Sequence, residues 1–336
     1  METALPDWPL FGLADDQRPA LRAALAAGAP AALATIATLG GGGPRPVGTQ
    51  MVFAEGRVSG FLSGGCVEGD VARHAAACLA DGEPRRLVYG EGSPWPDIRL
   101  LCGARIEILV ERIAPDDAAA AGLFRLMDGR RPAVWITDGR RRVCGETGEA
   151  WPGALVRRHD PVWRMIVLGA DPTALAIADL AARAGFETTL VRPRGPDAGP
   201  PLAGVGYRRD EPGEALAAIG LDAWTAVAVC GHDLEVDHAA LAAALPSPAP
   251  YVGLLGARRR LAERLDRLRA EGVGDAALAR LRAPIGLDLG GKAPWEVAVA
   301  TLGEIVAARA RSLLPEEEDR TGPARPTARE DRRLRV

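Results

Sequence analysis

The run with the most chemistry in it is Ser63-Gly64-Gly65-Cys66-Val67-Glu68-Gly69, where a thiol stands between glycines and a carboxylate. It falls where an apolar strand hands over to an Ala-rich helix. Glycines let successive backbone N–H groups turn into one concave nest that holds an anion. The positive end of the helix favours a phosphate at the same place and lowers the pKa of a cysteine there, freeing thiolate for sulfur or metal chemistry. The same spelling also describes a tight turn with a small buried cysteine, and spacing alone does not separate the two. Cys102-Gly103 is a second cysteine-bearing bend, ahead of another strand. In Gly42-Gly43-Pro44-Arg45-Pro46-Val47-Gly48 the one long polar side chain, Arg45, sits in a proline-stiffened loop. Its guanidinium either grips a phosphate or a heterocycle edge or is left to solvent.

Four more glycine-bearing turns follow in the second half. Gly169-Ala170-Asp171-Pro172 lies where a dinucleotide fold would place G-x-G-x-x-G, but only the first glycine is there, and the Asp171 carboxylate would repel a pyrophosphate. The next strand ends in Arg192-Pro193-Arg194 instead of the acid that would hold a ribose. NAD(P) binding of the usual kind is therefore not expected, whereas a phosphate-bearing ligand reaching Arg192 is compatible. Cys230-Gly231-His232-Asp233 precedes Asp237-His238, and H-D-x-x-x-D-H admits a metal, a helix cap or a ligand contact. Gly286 to Lys292 matches G-x-x-x-x-G-K without the Ser or Thr that would bind magnesium, which argues against a nucleotide triphosphatase. Lys292, the only lysine, is instead an anion contact or an inter-domain tether. Gly256-Ala257-Arg258-Arg259-Arg260 sets cations near a helix start, as a solvated face or a phosphate site.

Elements of two kinds must position these turns. In the first half, a helix after Asp16 ends at Gly28, apolar runs at 31–39, 47–53 and 58–62 read as strands, and Glu55-Gly56 reads as a tight hairpin. A helix at 67–79, strands at 87–89 and 106–110, a helix at about 116–128 and a hairpin turning at Asp138-Gly139 complete an α+β block. The stretch 148–161, charged and carrying two prolines, reads as a loop at the domain boundary. From Trp163 strands and helices alternate, which predicts an α/β, doubly wound parallel sheet. The expected domains are 15–147 and 160–312, with a charged, disordered tail at 315–336.

Composition narrows the function. The chain has 336 residues, enough for two domains, and its 48% hydrophobic and 25% charged residues are those of a folded globular protein. A net charge of -3 gives no basic surplus for nucleic acid. Five cysteines without a C-x-x-C pair fit a reducing compartment rather than a disulfide framework or zinc ribbon. No apolar run approaches the roughly eighteen residues of a membrane span, and the N-terminus lacks the basic start of a signal peptide. The protein is read as cytoplasmic.

Taken in order, GGGPRPVGTQM, SGFLSGGCVEGDV, LLCGARIEI, CGHDLEVDHAAL, YVGLLGARRR and PIGLDLGGKAPWEVAVATLGEI resemble the XdhC/CoxI family from about Ala31 to Arg309. The resemblance implies an N-terminal cofactor-handling domain joined to a Rossmann-like one, and a maturation chaperone for molybdenum hydroxylases, without turnover of its own. Its cargo would be molybdenum cofactor, as molybdopterin or its cytosine dinucleotide, held, helped in its sulfuration and passed to an apo-enzyme of xanthine dehydrogenase or aldehyde oxidoreductase type. A cysteine desulfurase, a cofactor-nucleotide transferase and a second copy of the chain are the other implied partners. Ser63, Gly64, Gly65, Cys66 and Glu68 match the family's first signature, Cys102 and Gly103 its second, His232, Asp233 and Asp237 its third, and Lys292 with its neighbours the last. Leaving out Asp237 and the neighbours of Lys292, these residues together with Arg45, Gly169 and Arg192 are the expected cofactor contacts, Cys66 and Cys102 being the candidates for molybdenum or sulfur. Asp171 and Pro172 depart from the family's usual glycine-rich turn. An NAD(P)-dependent oxidoreductase is the alternative, suggested by the parallel-sheet domain alone.

Overall fold

The computed structural model describes residues 5–41, 43, 45–93, 100, 103, 105–256 and 260–312. Cys102, Arg258, Arg259 and the tail at 315–336 lie outside the described residues. The chain divides after Val162 into two compact units.

The first unit runs α1 (Arg18–Ala26), β1 (Ala31–Gly40), β2 (Gln50–Ala54), β3 (Arg57–Gly60), α2 (Glu68–Asp81), β4 (Arg85–Tyr89), β5 (Arg105–Ile113), α3 (Ala118–Asp128), β6 (Ala133–Thr137), β7 (Arg142–Gly145) and β8 (Leu155–His159). Strands β3-β2-β1-β5-β4 form an antiparallel sheet, and β7-β6-β8 a smaller one. Alternation along β1 sorts the two cores. Ala32, Ala34 and Ile36 pack with Val71, Ala75 and Cys78 of α2, while Ala31 and Leu33 pack with Leu21 and Leu25 of α1 and Leu123 of α3. The Glu55-Gly56 hairpin has both residues at positive φ, 48° and 73°, as a two-residue turn between twisted strands requires.

Two expectations for this unit are corrected. Strand β2 starts at Gln50 rather than Val47, because Gly48, at φ 84°, turns back to donate to the Ile36 carbonyl. The stretch 148–161 is not all loop: β8 pairs with β6, Trp135 opposite Arg157. Leu155 and His159 point inward while Val156 and Arg158 are exposed, so its two arginines disguise an edge strand.

The second unit runs β9 (Arg164–Gly169), α4 (Pro172–Arg183), β10 (Glu187–Val191), β11 (Val205–Arg208), α5 (Pro212–Ile219), β12 (Thr225–Cys230), α6 (Leu234–Ala244), β13 (Tyr251–Leu254), α7 (Leu261–Ala270), α8 (Asp275–Leu278), β14 (Leu281–Arg282) and α9 (Pro294–Ser312). Its parallel sheet has the order β11-β10-β9-β12-β13-β14. That is the doubly wound 3-2-1-4-5-6 order, with its switch point between β9 and β12. Helices α4 and α9 cover one face through Ile177, Leu302 and Ile305. Leu216, Leu241 and Leu268 of α5, α6 and α7 cover the other. Helix α6 begins at Leu234, directly after Asp233, which caps it. Among the described residues no helix is long and apolar enough to cross a membrane.

Candidate functional site

Antiparallel pairing fixes which connections share an end of the five-stranded sheet. Thr35 lies opposite Gln50, Met51 opposite Gly60, Gly40 opposite Arg105 and Tyr89 opposite Ile106. The connections 41–49, 61–67 and 90–104 therefore all leave the sheet at one end. The first two carry Arg45 and Cys66.

The loop bearing Cys66 is held from beneath by a single carboxylate. Glu68 is 1% exposed. Its Oε1 accepts the N–H groups of Leu62 (3.0 Å) and Ser63 (2.6 Å), and its Oε2 accepts the Ser63 hydroxyl (2.7 Å) and the Val67 N–H (3.2 Å). Ser63 Oγ in turn accepts from the Cys66 and Val67 N–H groups at 3.1 and 3.3 Å. The nest expected to hold an external anion is thus filled by the chain's own, and four donors leave Glu68 no free acceptor for a cofactor. Glu68 and Ser63 position the loop. Gly64, Gly65 and Cys66 are exposed above them, and the φ of 95° at Gly65 is open to glycine.

Cys66 is the exposed thiol among the described cysteines. Cys78 and Cys230 are core residues whose thiols burial pushes up, and burial lifts half-buried Cys144 to about 11. Behind the loop, Asp70 accepts the Tyr89 hydroxyl at 2.7 Å and ties the start of α2 to the end of β4. Sequence reasoning missed this pair, since neither residue stands out by spacing. Arg45 is ion-paired with Asp15. Gly103, at φ 69°, donates to the Leu100 carbonyl at 3.0 Å.

In the second unit three of the glycine-bearing turns also carry their own carboxylate. Asp171 Oδ1 caps α4 through the Ala174 N–H (2.8 Å), and its Oδ2 meets His232 Nε2 at 3.2 Å, so the switch point is stoppered where a pyrophosphate would rest. Gly169 is there for packing: a Cβ would lie 2.7 Å from the Cys230 carbonyl oxygen and 2.8 Å from the Ala174 Cβ. Asp233 Oδ1 caps α6 through Glu235 and Val236. Arg194 approaches Asp233 only at 3.9 Å, both side chains well exposed, and Arg192 is exposed beside it. Glu296 Oε2 accepts the N–H groups of Lys292 and Ala293, both at 2.9 Å, leaving the Lys292 side chain in solvent.

The H-D-x-x-x-D-H run does not converge on a metal. His232 goes to Asp171, Asp233 to the α6 cap, buried Asp237 to Arg264 at 3.2 Å, and His238 to Glu271 at 2.6 Å. Burial outweighs Arg264 and raises the Asp237 carboxyl. Among the described residues no group of His, Cys, Asp and Glu forms a metal cluster.

Comparison with known proteins agrees with this architecture. Residues 24–90 match the model of the XdhC and CoxI family, and residues 165–305 that of the XdhC Rossmann domain. The chain is 33% identical over 316 residues to the molybdenum cofactor insertion chaperone PaoD of Escherichia coli, covering 91% of this chain and 92% of that protein. It is 27% identical to a probable xanthine dehydrogenase subunit of Bacillus subtilis, covering 84% and 94%. A crystal structure of a xanthine dehydrogenase from Bacillus halodurans superposes with a TM-score of 0.71 at 23% identity, covering 90% and 98%, a likeness of fold.

Proposed function

The chain belongs to the XdhC and CoxI family, and from that premise we propose that it is a molybdenum cofactor insertion chaperone. It holds the cofactor as cargo, keeps it from water and oxidant, assists its sulfuration and passes it to an apo molybdenum hydroxylase. The observation that carries this reading is the mounting of Cys66, an exposed thiol on a loop whose backbone is tied to buried Glu68. A soft sulfur ligand presented at a fixed place suits a metal-dithiolene cargo, because thiolates are the ligands such centres prefer. Arg45, on a connection at the same sheet end, would complete the berth, with Cys102 as a second proposed sulfur contact.

The partners in this reading are an apo-hydroxylase of xanthine dehydrogenase or aldehyde oxidoreductase type, a cysteine desulfurase as sulfur source and a cofactor-nucleotide transferase. The chain acts as a homodimer in the cytoplasm, and the cargo is the pterin form or its cytosine dinucleotide. The nicotinamide alternative is disfavoured by Asp171, whose carboxylate stands at the α4 N-terminus. Purification from cells making the cofactor, with pterin and molybdenum analysis and transfer to an apo-hydroxylase, tests the proposal. Wild type and Cys78→Ser should carry and deliver cofactor, and Cys66→Ser should fold but deliver less. Wild-type protein free of pterin would overturn the chaperone reading; undiminished delivery by Cys66→Ser would overturn the thiol's part in it.

A further inference from the structure

Arg157 on β8 has surroundings unlike those of Arg18, Arg142 and Arg264. Arg18 has Asp16 and the Asp160 carbonyl, Arg142 has Glu111 and Asp117, and Arg264 has Asp237. Among the described residues Arg157 makes no hydrogen bond and has no carboxylate within ion-pair distance, and its Nε is wholly buried. It lies against the 41–49 connection, where a Cβ on Gly48 would come within 3.0 Å of its Nη1. Arg45, three residues earlier, is paired with Asp15 through one Nη and has its own Nε buried and unpartnered. Asp15 is also the largest favourable charge on Arg157, so one exposed carboxylate serves two guanidiniums.

The local charges leave a surplus. Asp15, Asp16 and Asp160 face Arg18, Arg45, Arg157 and Arg158, with Arg158 held by Asp160 at 2.8 Å. Burial, and the like charge of Arg18, depress the Arg157 guanidinium. The same field and deeper burial push neighbouring His159 down to about 3, so it adds no charge. A half-buried guanidinium cannot escape its desolvation by losing a proton at neutral pH, and an unpaired charge taken from water is destabilising unless a counter-ion reaches it.

We propose that Arg157 and Arg45 form a phosphate-binding site beside the Gly48 turn. A phosphate offers several acceptors to two guanidinium forks, and Arg45 can exchange the exposed Asp15 carboxylate for it. The site lies on a connection of the same sheet end as Cys66. Identifying its ligand with the phosphate of the pterin cargo therefore rests on the function proposed above, while the site itself stands on the arginines.

The test uses the full chain without cargo. Inorganic phosphate should raise the Tm saturably, with chloride and acetate at matched ionic strength inactive, and broaden its own 31P resonance on binding. Arg157→Gln and Arg45→Gln should lose both effects, and Arg158→Gln should keep them. No phosphate effect on wild type, the same shift with acetate, or full retention in both Arg157→Gln and Arg45→Gln would overturn the site. If Arg157→Gln does not fold, the wild-type 31P titration and Arg45→Gln decide. Where the site holds, pterin retention distinguishes the source: a loss in the variants assigns it to the cargo's phosphate, and unchanged retention assigns it to free phosphate.

Discussion

Removing the Glu68 carboxylate should undo the Cys66 loop. Glu68→Ala strips the acceptor from three buried N–H groups, those of Leu62, Ser63 and Val67, and from the Ser63 hydroxyl. An orphaned buried donor costs about 1–3 kcal/mol. Val67 keeps Ser63 Oγ at 3.3 Å as a second acceptor, and the exposed Gly64–Cys66 segment lets water reach the gap. The sum therefore contracts to about 3–5 kcal/mol, a large share of a domain's stability. Glu68→Gln keeps one carbonyl oxygen but turns a donating amide NH2 toward donors, and should cost about 1–3 kcal/mol. The assay is urea unfolding, read at the transition of the first unit because two units need not unfold together. The rate of Cys66 alkylation by a thiol reagent gives a second readout, since the Cys66 N–H is anchored through Ser63. A Glu68→Ala protein within about 1 kcal/mol of wild type, with Cys66 alkylated at the wild-type rate, would refute the latch.

Gly169→Ala should destabilise the second unit by about 1–3 kcal/mol, seen as a lower urea midpoint, because one of the atoms its Cβ would strike is the backbone oxygen of Cys230. Asp171→Ala removes a helix cap and should cost about 1 kcal/mol, while NADH and NADPH titrations of wild type stay flat, in line with the stoppered α4 N-terminus. His159 gives a pH signature. Its folded pKa of about 3 lies below the ordinary histidine value of 6.5, so between those limits the unfolded chain takes a proton the folded one refuses. Stability is full above that window and falls with falling pH inside it, by up to about 1.4 kcal/mol per unit. Denaturation of wild type and His159→Gln at pH 7 and pH 5 should show the shallower dependence in the variant.

The elements that announce themselves by periodicity were legible: α1, α2 and α3, the Glu55-Gly56 hairpin, and the alternation of β9, α4, β10, β12, α6 and β13. The elements that were not legible lack that signal. β8 hides behind Arg157 and Arg158, β14 has only two residues, and β11 and α5 follow a loop of prolines and charges that gives neither a period of 2 nor one of 3.6. Strand register cannot be read from one sequence either, and register is what brings the 41–49, 61–67 and 90–104 connections to one sheet end. At the site, Cys66 was legible as the thiol of a glycine turn. The inward turn of Glu68 was not, because a carboxylate one residue inside a helix spells an ordinary first turn. Arg157 escaped notice for a related reason: it sits in a stretch read as loop, where an arginine is expected in solvent.

A strand-to-helix turn rich in glycine presents unsatisfied N–H groups whether or not a ligand ever arrives. In this chain four glycine-bearing turns are served from within, by Glu68, Asp171, Asp233 and Glu296. Each lies within the first three helical residues or at the cap, where a carboxylate gains from the helix dipole and the N–H groups together. A glycine-rich spelling followed by Asp or Glu in the first turn thus favours a self-filled turn over a phosphate cradle, and Lys292 beside Glu296 has no P-loop to serve. Cationic capacity for a phosphate must then come from side chains. In the first unit the guanidiniums with unpartnered N–H groups and only Asp15 between them are Arg45 and Arg157. The division of labour follows: internal carboxylates fix the turns that present Cys66 and close the switch point, and side-chain arginines at the same sheet end as Cys66 remain for a charged ligand.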